Sequence, residues 1–323
     1  MYVVGIEVTI GGKRFERIHA VEIEESIDMV GKTCVLQVPT TARLERVDYV
    51  TEVETAKEFH TGDEVVVRMG YDGQLVEEFR GFVRRIAPGT PLELECEDLV
   101  YVLNRKRLQQ AFRNTTLEGL LAFILADTGI ELATEVPAIN FTIFSFQNVT
   151  AAAALKKLAG DYGLRIYFSS YGQLVVGLAS TTDGTVVTYV YGRNVIKHSL
   201  EWVDEDDVQL KVKAVSVSRD NVFTKEEVGD PEGEVRTIFF YDLADGEDLG
   251  ERALQELTKY KYSGYRGKLT GFLMPICRIG NTVRYRDDNF ANREGDYLVE
   301  SVKTNLSTSG GRRSVTLGLK LSA

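Results

Sequence analysis

The chain has 323 residues, 44% hydrophobic and 27% charged, enough apolar material for one large core or for two to four smaller domains. A formal net charge of −10 argues against a protein that gains affinity by neutralising phosphates, which needs a basic face. Three widely spaced cysteines, Cys34, Cys96 and Cys277, make neither a disulfide framework nor a zinc signature and point to a reducing compartment.

The opening "MYVVGIEVTIGGKRF" has no basic start and reads as a strand, not a signal peptide. No segment reaches the roughly 18 uninterrupted apolar residues of a membrane span. Strands are predicted over 2–10, 16–26, 33–39, 63–70, 75–87 and 92–98, with Asp72-Gly73 as a tight hairpin turn whose residues tolerate positive φ. Several strands with little helix between them predict a small antiparallel barrel in domain 1–100. The stretch "NRKRLQQAFR" (104–113) gathers Arg105, Lys106, Arg107 and Arg113, read as a solvated helix flank or a patch for an acidic protein partner.

The hydrophobic period then changes. Leu117, Leu120, Leu121, Ile124 and Leu125 follow helical spacing, with Thr115 and Glu118 as a capping box and Gly129 at the C-terminal cap. A second helix covers about 149–162, with Leu155, Leu158, Ala159 and Tyr162 on one face and Gly163 after it. Strands at 139–146, 164–170 and 173–179 surround it, which predicts an α+β middle domain over 101–193. In a third unit, 194–270, "VQLKVKAVSVSR" (208–219) alternates as a half-buried strand until its phase slips after Ala214, the mark of a bulge or a strand end. Its expected partner is 234–243. A helix from about Glu247 to Tyr262 follows, with Asp245 as cap, Glu247 and Asp248 in the first turn, and Lys259 and Lys261 in the last. Residues 271–323 return to strands that complete a second barrel, alone or with part of 194–240.

Two distant stretches look alike. "TGDEVVVRMGYDGQLVEEFRGFV" (61–83) and "IGNTVRYRDDNFANREGDYLV" (279–299) align Gly62 with Gly280, Val65 with Val283, Phe82-Val83 with Leu298-Val299, and Ile86 with Val302. Gly-x-x-Val is common, so identity alone leaves chance open; the strand-rich ends with helices only between them favour duplication. The expected class is α+β and β-rich, with two similar small antiparallel β-barrels flanking α+β middle domains. Gly62 and Gly280 permit strand entry, Val65 and Val283 plug the two cores, Gly81 allows close strand packing, and Val83 and Val299 complete the hairpins.

Candidate chemistry is sparse, and no catalytic, metal or cofactor residue is assigned. His19, His60 and His198 lie in unrelated contexts without metal-ligand spacing. The acidic "DEDD" (204–207) lacks the glycine-turned loop of a calcium site and reads as a solvated turn. A cell-wall hydrolase, the competing enzyme class, needs two carboxylates across a sugar cleft or a Cys-His pair; Glu95 near Cys96, or Glu131, is the available material. Trp202 reads as a packing anchor beside Leu200.

Several stretches resemble one family, the baseplate hub of contractile-tailed phages, also called late control protein D, in its shorter prophage version without a fused spike. They are the hairpin 61–86, "DLVYVLNRKR" (98–107) before "TTLEGLLAFIL" (115–125), "NVTAAAALKKLAGDYGLRIYF" (148–168), "DDVQLKVKAVSV" (206–217), "VGDPEGEVRTIFFYDL" (228–243) and "REGDYLVESVKTNLSTSGGRRSVTLGL" (293–319). The match covers most of 60–319 and is thinnest over the first sixty residues. The resemblance implies a structural homotrimer in the virion tail, assembled in the bacterial cytoplasm. Its partners would be a tail tube protein, a separate trimeric spike and other baseplate proteins, with no specific nucleic-acid binding and no membrane span. The hub of a phage-derived, type VI-like injection device is the alternative it leaves, and a tail-associated peptidoglycan hydrolase the more remote one.

Overall fold

The computed structural model describes residues 3–15, 17–45, 50–133, 135–169, 171–177, 182, 184–217, 222–241, 249–290 and 294–321. The first segment contains β1 (Val4–Ile10), β2 (Lys13–Phe15), β3 (Ala20–Ser26), β4 (Thr33–Val38), β5 (Thr41–Glu45), β6 (Val50–Glu54), a single turn α1 (Thr55–Glu58), β7 (Glu64–Tyr71), β8 (Gln74–Ala87) and β9 (Leu92–Glu97). The middle segment contains α2 (Val100–Arg105), β10 (Arg107–Thr116), α3 (Leu117–Leu125), β11 (Asn140–Thr150), α4 (Ala151–Tyr162), β12 (Arg165–Phe168) and β13 (Leu174–Gly177). The last contains β14 (Val186–Val190), β15 (Val195–Val203), β16 (Leu210–Val217), β17 (Phe223–Gly229), β18 (Glu234–Tyr241), α5 (Leu249–Tyr260), β19 (Gly264–Gly271), β20 (Thr282–Arg286), β21 (Gly295–Ser307) and β22 (Gly310–Lys320).

Period-2 alternation explains the N-terminal strands. Cys34, Leu36 and Val38 of β4 and Leu92, Leu94 and Cys96 of β9 all face one core with Val65, Val67 and Val83. A second core gathers Tyr189, Val283, Tyr285, Tyr297, Val299, Val302, Val315 and Leu317. The strands around the two cores belong to one sheet of thirteen strands, ordered β15-β19-β22-β21-β3-β4-β9-β8-β7-β1-β2, with β20 bonded to β21 and β14 to β20. The junction is β21. Its first residues pair with β20, then Ser301 to Ser307 pair antiparallel with Ser26 to Ala20 of β3. Among the described residues these pairings leave the sheet open, because β3 bonds to β4 on one side and to β21 on the other, and so does not close back onto another strand of the first half.

The middle segment has its own core, in which Leu117, Leu120, Leu121 and Ile124 of α3 meet Ala151, Leu155 and Leu158 of α4 and Phe141 and Phe146 of β11. Here the structure corrects one reading. The helix cap is Thr116, whose hydroxyl accepts from the Gly119 amide at 3.1 Å, while Thr115 is still paired with Phe141 in the β10–β11 ribbon. The basic cluster flanks the end of α2 and runs into β10, with Arg105, Arg107 and Arg113 exposed. Arg105 stacks over the Tyr101 ring at 3.3 Å, Lys106 donates to the Phe123 and Ala126 carbonyls at the end of α3, and Arg107 opens β10. The helix at 151–162 ends on Gly163 at φ 61°, as its glycine foretells.

The phase slip after Ala214 is neither a bulge nor an end. β16 pairs without register shift with β17 on one side and, in parallel, with β18 on the other. Leu210, Val212 and Ala214 face α5, whereas Val215 and Val217 face the middle core, so both surfaces become apolar where both are covered. The expected helix cap at Asp245 and the charges at Glu247 and Asp248 lie outside the described residues, and nothing is described of the Lys259 side chain. No helix among the described residues is long and apolar enough to cross a membrane.

Candidate functional site

Six strands of the first half, β1, β3, β4, β7, β8 and β9, correspond in chain order to β14, β15, β19, β20, β21 and β22 of the second. The pairings β3–β4, β4–β9, β9–β8, β8–β7 and β7–β1 recur as β15–β19, β19–β22, β22–β21, β21–β20 and β20–β14. The last differs in sense, β1 running antiparallel to β7 and β14 parallel to β20. Register is kept as well. Glu64, Val65, Val66 and Val67 face Phe82, Gly81, Arg80 and Phe79; Thr282, Val283, Arg284 and Tyr285 face Leu298, Tyr297, Asp296 and Gly295. One register shift falls between Val83 and Arg85 against β9, and the corresponding one between Val299 and Ser301 against β22.

The turn that enters each hairpin is the same object. In the first, the Asp63 amide donates to the His60 carbonyl (3.1 Å), the His60 amide donates to Asp63 Oδ2 (2.8 Å), and the Val83 amide donates to the Asp63 carbonyl (2.9 Å). In the second, Asn281 donates to the Arg278 carbonyl (3.3 Å), Arg278 donates to Asn281 Oδ1 (2.8 Å), and Val299 donates to the Asn281 carbonyl (3.1 Å). Gly62 at φ 99° and Gly280 at φ 83° occupy the third turn position, which demands positive φ. Each glycine lies beneath a tyrosine of another element. A Cβ on Gly62 would stand 2.9 Å from the Tyr101 hydroxyl, and one on Gly280 2.5 Å from that of Tyr167. Val65, Val83, Val283 and Val299 are fully buried. Gly81 lies so close to β9 that a Cβ would meet the Glu97 carbonyl at 2.2 Å.

A buried ionic seam ties the halves together. Arg313 of β22 is fully buried and donates through Nη2 to Glu78 Oε1 of β8 at 2.6 Å. Its remaining donors go to the carbonyls of Leu273 and Cys277 and to Thr304 Oγ1. Arg278 reaches the other oxygen of Glu78 at 2.6 Å and stands 3.9 Å from Glu25 of β3, which pairs with Lys32 at 3.0 Å. Burial opposes ionisation of Glu78, but the guanidinium groups of Arg313 and Arg278 outweigh it and hold its carboxyl below the usual range. Asp98 closes the seam by accepting from the Lys32 and Val100 amides; burial dominates there and pushes its carboxyl up to about 7. Above these groups opens a cleft of about 610 Å³ whose lining includes Lys32, Glu77, Arg80, Phe168 and Arg278.

Sequence reasoning missed this seam, although a signal was present. Glu25 is in phase with the inward Val21 and Ile23, and Arg313 with the inward Val315 and Leu317. Glu78 turns inward because it is the extra residue of a bulge: Phe79 pairs with Val67, Glu77 with Arg68, and Glu78 is skipped.

The chemical candidates are scattered. His60 is part of the first turn, His198 lies on exposed β15 against the Tyr191 ring, and 204–207 is an exposed turn after β15. Burial pushes the Cys96 and Cys277 thiols up to about 12, the protonated and unreactive state. Hydrogen bonds from Arg85, with Arg84, hold the Glu95 carboxyl low, the opposite of what a general acid needs. Trp202 packs edge-on to Tyr265.

No family model matches the chain, and no curated protein sequence matches it. Solved structures do. The 43 kDa tail protein of prophage MuSo2 from Shewanella oneidensis is 19% identical over 98% of this chain and 97% of its own, with a TM-score of 0.64. A tail protein from Neisseria meningitidis is 19% identical over 99% and 97%, with a TM-score of 0.63. An E. coli component of the type VI secretion system, described as structurally similar to the T4 tail proteins gp27 and gp5, is 12% identical over 97% of this chain and 76% of its own, with a TM-score of 0.57. The duplicated scheme of this chain therefore stands within a fold that spans nearly its whole length, and the chain has the fold of the tail proteins it matches.

Proposed function

We propose that the chain is a non-enzymatic structural hub of a phage or prophage contractile tail, of the late control protein D kind. Three copies form a ring that adapts a sixfold tail tube to a threefold spike. The observation that carries this reading is the duplicated six-strand scheme with its repeated turn, register and bulge. Three chains present six comparable surfaces only if each chain contributes two. Two barrel-like units per chain supply them, and a closed ring satisfies head-to-tail contacts without leaving a growing end.

In this reading Gly62, Val65, Gly81 and Val83 in one half and Gly280, Val283 and Val299 in the other are the scaffold residues of the rim. The net charge of −10 suits a lumen through which DNA passes without adhering. The protein works in the virion tail, beside the tube protein and other baseplate proteins, after assembly in the host cytoplasm. The fold likeness to the E. coli type VI component supports a second reading, in which the same ring is the hub of a protein-injection device. Light scattering of the purified chain tests the first step: a mass of three chains supports the ring, and a monomer at all concentrations contradicts it.

A further inference from the structure

We infer that the ring is sealed by strand pairing between copies, with the outer edge of β15 in one chain receiving the end of β8 from a second copy. The inference rests on the hub reading and adds the contact surface. Within one chain, the second half meets the first through β21 and β3, where Ser301, Val302 and Lys303 face Ser26, Glu25 and Glu24. The duplication supplies the equivalents of both strands: β8 corresponds to β21, and β15 to β3.

The register follows from the shared pairings. Cys34 faces Cys96 and Ile23; Gly267 faces Leu317 and Leu200. Cys96 and Leu317 in turn face Val83 and Val299, so Leu200 is the counterpart of Ile23. Carrying the internal junction across places Arg85 opposite Val203, Ile86 opposite Trp202 and Ala87 opposite Glu201.

Both edges are open for this contact. β15 ends the sheet, with no strand on its outer side among the described residues, and its residues 196–199 and 201 are exposed. The pairing of β8 with β7 stops at Phe82, leaving 84–87 without a strand on that side among the described residues. In the internal junction the equivalent stretch of β21 is the part covered by β3.

Charge and apolarity agree independently with the register. Arg84 and Arg85 are 51% and 62% exposed in their side chains, and their present partners are Glu95 and Glu97. The register sets them against Val203 and the residues after it, the exposed Asp204, Glu205, Asp206 and Asp207. The internal junction has a cross-strand ion pair of its own, Lys303 with Glu22 at 2.5 Å. Ile86, half-buried at the rim of the first core, meets Trp202 and Leu200, half-buried at the rim of the second. The occupant of the β15 edge is therefore a second copy of this chain, which alone brings the matching strand, basic pair and isoleucine together.

Cysteine cross-linking tests the contact, since the native Cys34, Cys96 and Cys277 are buried. The double variant Arg85→Cys with Val203→Cys should form a ladder of covalent multimers under mild oxidation, ending at the ring. The pair Ser26→Cys with Ser301→Cys should link within one chain and leave its mass unchanged. A charge exchange is the second arm. Arg84→Glu with Arg85→Glu should abolish the multimer, and adding Asp204→Arg with Asp206→Arg to the same chain should restore at least half of it. A ring that forms without the 85–203 link, or that ignores the charge reversal, overturns this junction and leaves the hub reading standing. A chain that stays monomeric and unlinked at every concentration overturns both.

Discussion

The two halves of the sheet fill the same space from opposite sides. In β8 the inward aromatic is Phe79 and the inward glycine Gly81; at the equivalent positions of β21 stand Gly295 and Tyr297. Each ring covers its neighbouring glycine, with Phe79 2.7 Å from where a Cβ of Gly81 would be and Tyr297 3.0 Å from that of Gly295. What the halves retain is backbone geometry and enclosed volume, not residue identity. They differ again in the connection from β3 to β4, which is residues 27–32, against that from β15 to β19, residues 204–263, which carries β16, β17, β18 and α5. The duplicated part tolerates an inserted unit there because strand pairing on either side does not depend on the connection.

The comparison can be broken most sharply at the seam. Glu78→Ala leaves Arg313 buried without its carboxylate and should cost about 3–5 kcal/mol in denaturant unfolding. Arg284→Ala, which removes an ion pair to Asp296 from an exposed side chain, should cost far less than Glu78→Ala in the same unfolding measurement. The pH dependence isolates Asp98. Its folded carboxyl titrates at about 7, above its unfolded range, so the stability it contributes is complete below about pH 4 and is lost as pH rises through 7. Relative to Asp98→Asn, wild type should therefore lose up to about 4 kcal/mol between pH 4 and 7. A difference that grows in wild type's favour with pH would contradict the assignment.

Smaller effects sharpen the equivalence of the two turns. Gly62→Ala and Gly280→Ala should each cost about 1–3 kcal/mol from positive φ alone, with Gly280 the more sensitive because Tyr167 stands closer than Tyr101. Adding Tyr167→Phe should recover part of the Gly280→Ala loss, as Tyr101→Phe should for Gly62→Ala. Val65→Ala and Val283→Ala, each losing two fully buried methyl groups, should cost about 2 kcal/mol apiece and agree within about 0.5 kcal/mol. Unequal costs would mean that the two cores are not packed alike.

Much of the strand content was legible because alternation survives wherever one face is covered, as in β4 and β9. The hairpin repeat was legible because a positive-φ turn restricts its third position to glycine. Less legible was the continuity of the sheet, which depends on β21 running past its hairpin to meet β3, a pairing more than 270 residues apart in sequence. β15 was missed because most of its side chains are exposed and give little periodic signal, and β14 because its short "VVTYV" has apolar residues on both faces and hides its alternation. The capping residue slipped by one because two adjacent threonines offer the same hydroxyl, and only tertiary pairing with Phe141 keeps Thr115 extended. Glu78 could not be placed from pattern alone, since a bulge, not alternation, turns it inward.

The central claim is that two equivalent units in each chain let a threefold assembly offer a sixfold rim. An electron cryomicroscopy reconstruction of the purified assembly, made without imposed symmetry, measures this most directly. The account predicts an open ring of three 36.1 kDa chains in which the Gly62 and Gly280 hairpins alternate at six comparable positions around the axis. A ring of three with these hairpins at different radii or heights, or a particle with no central opening, would contradict it.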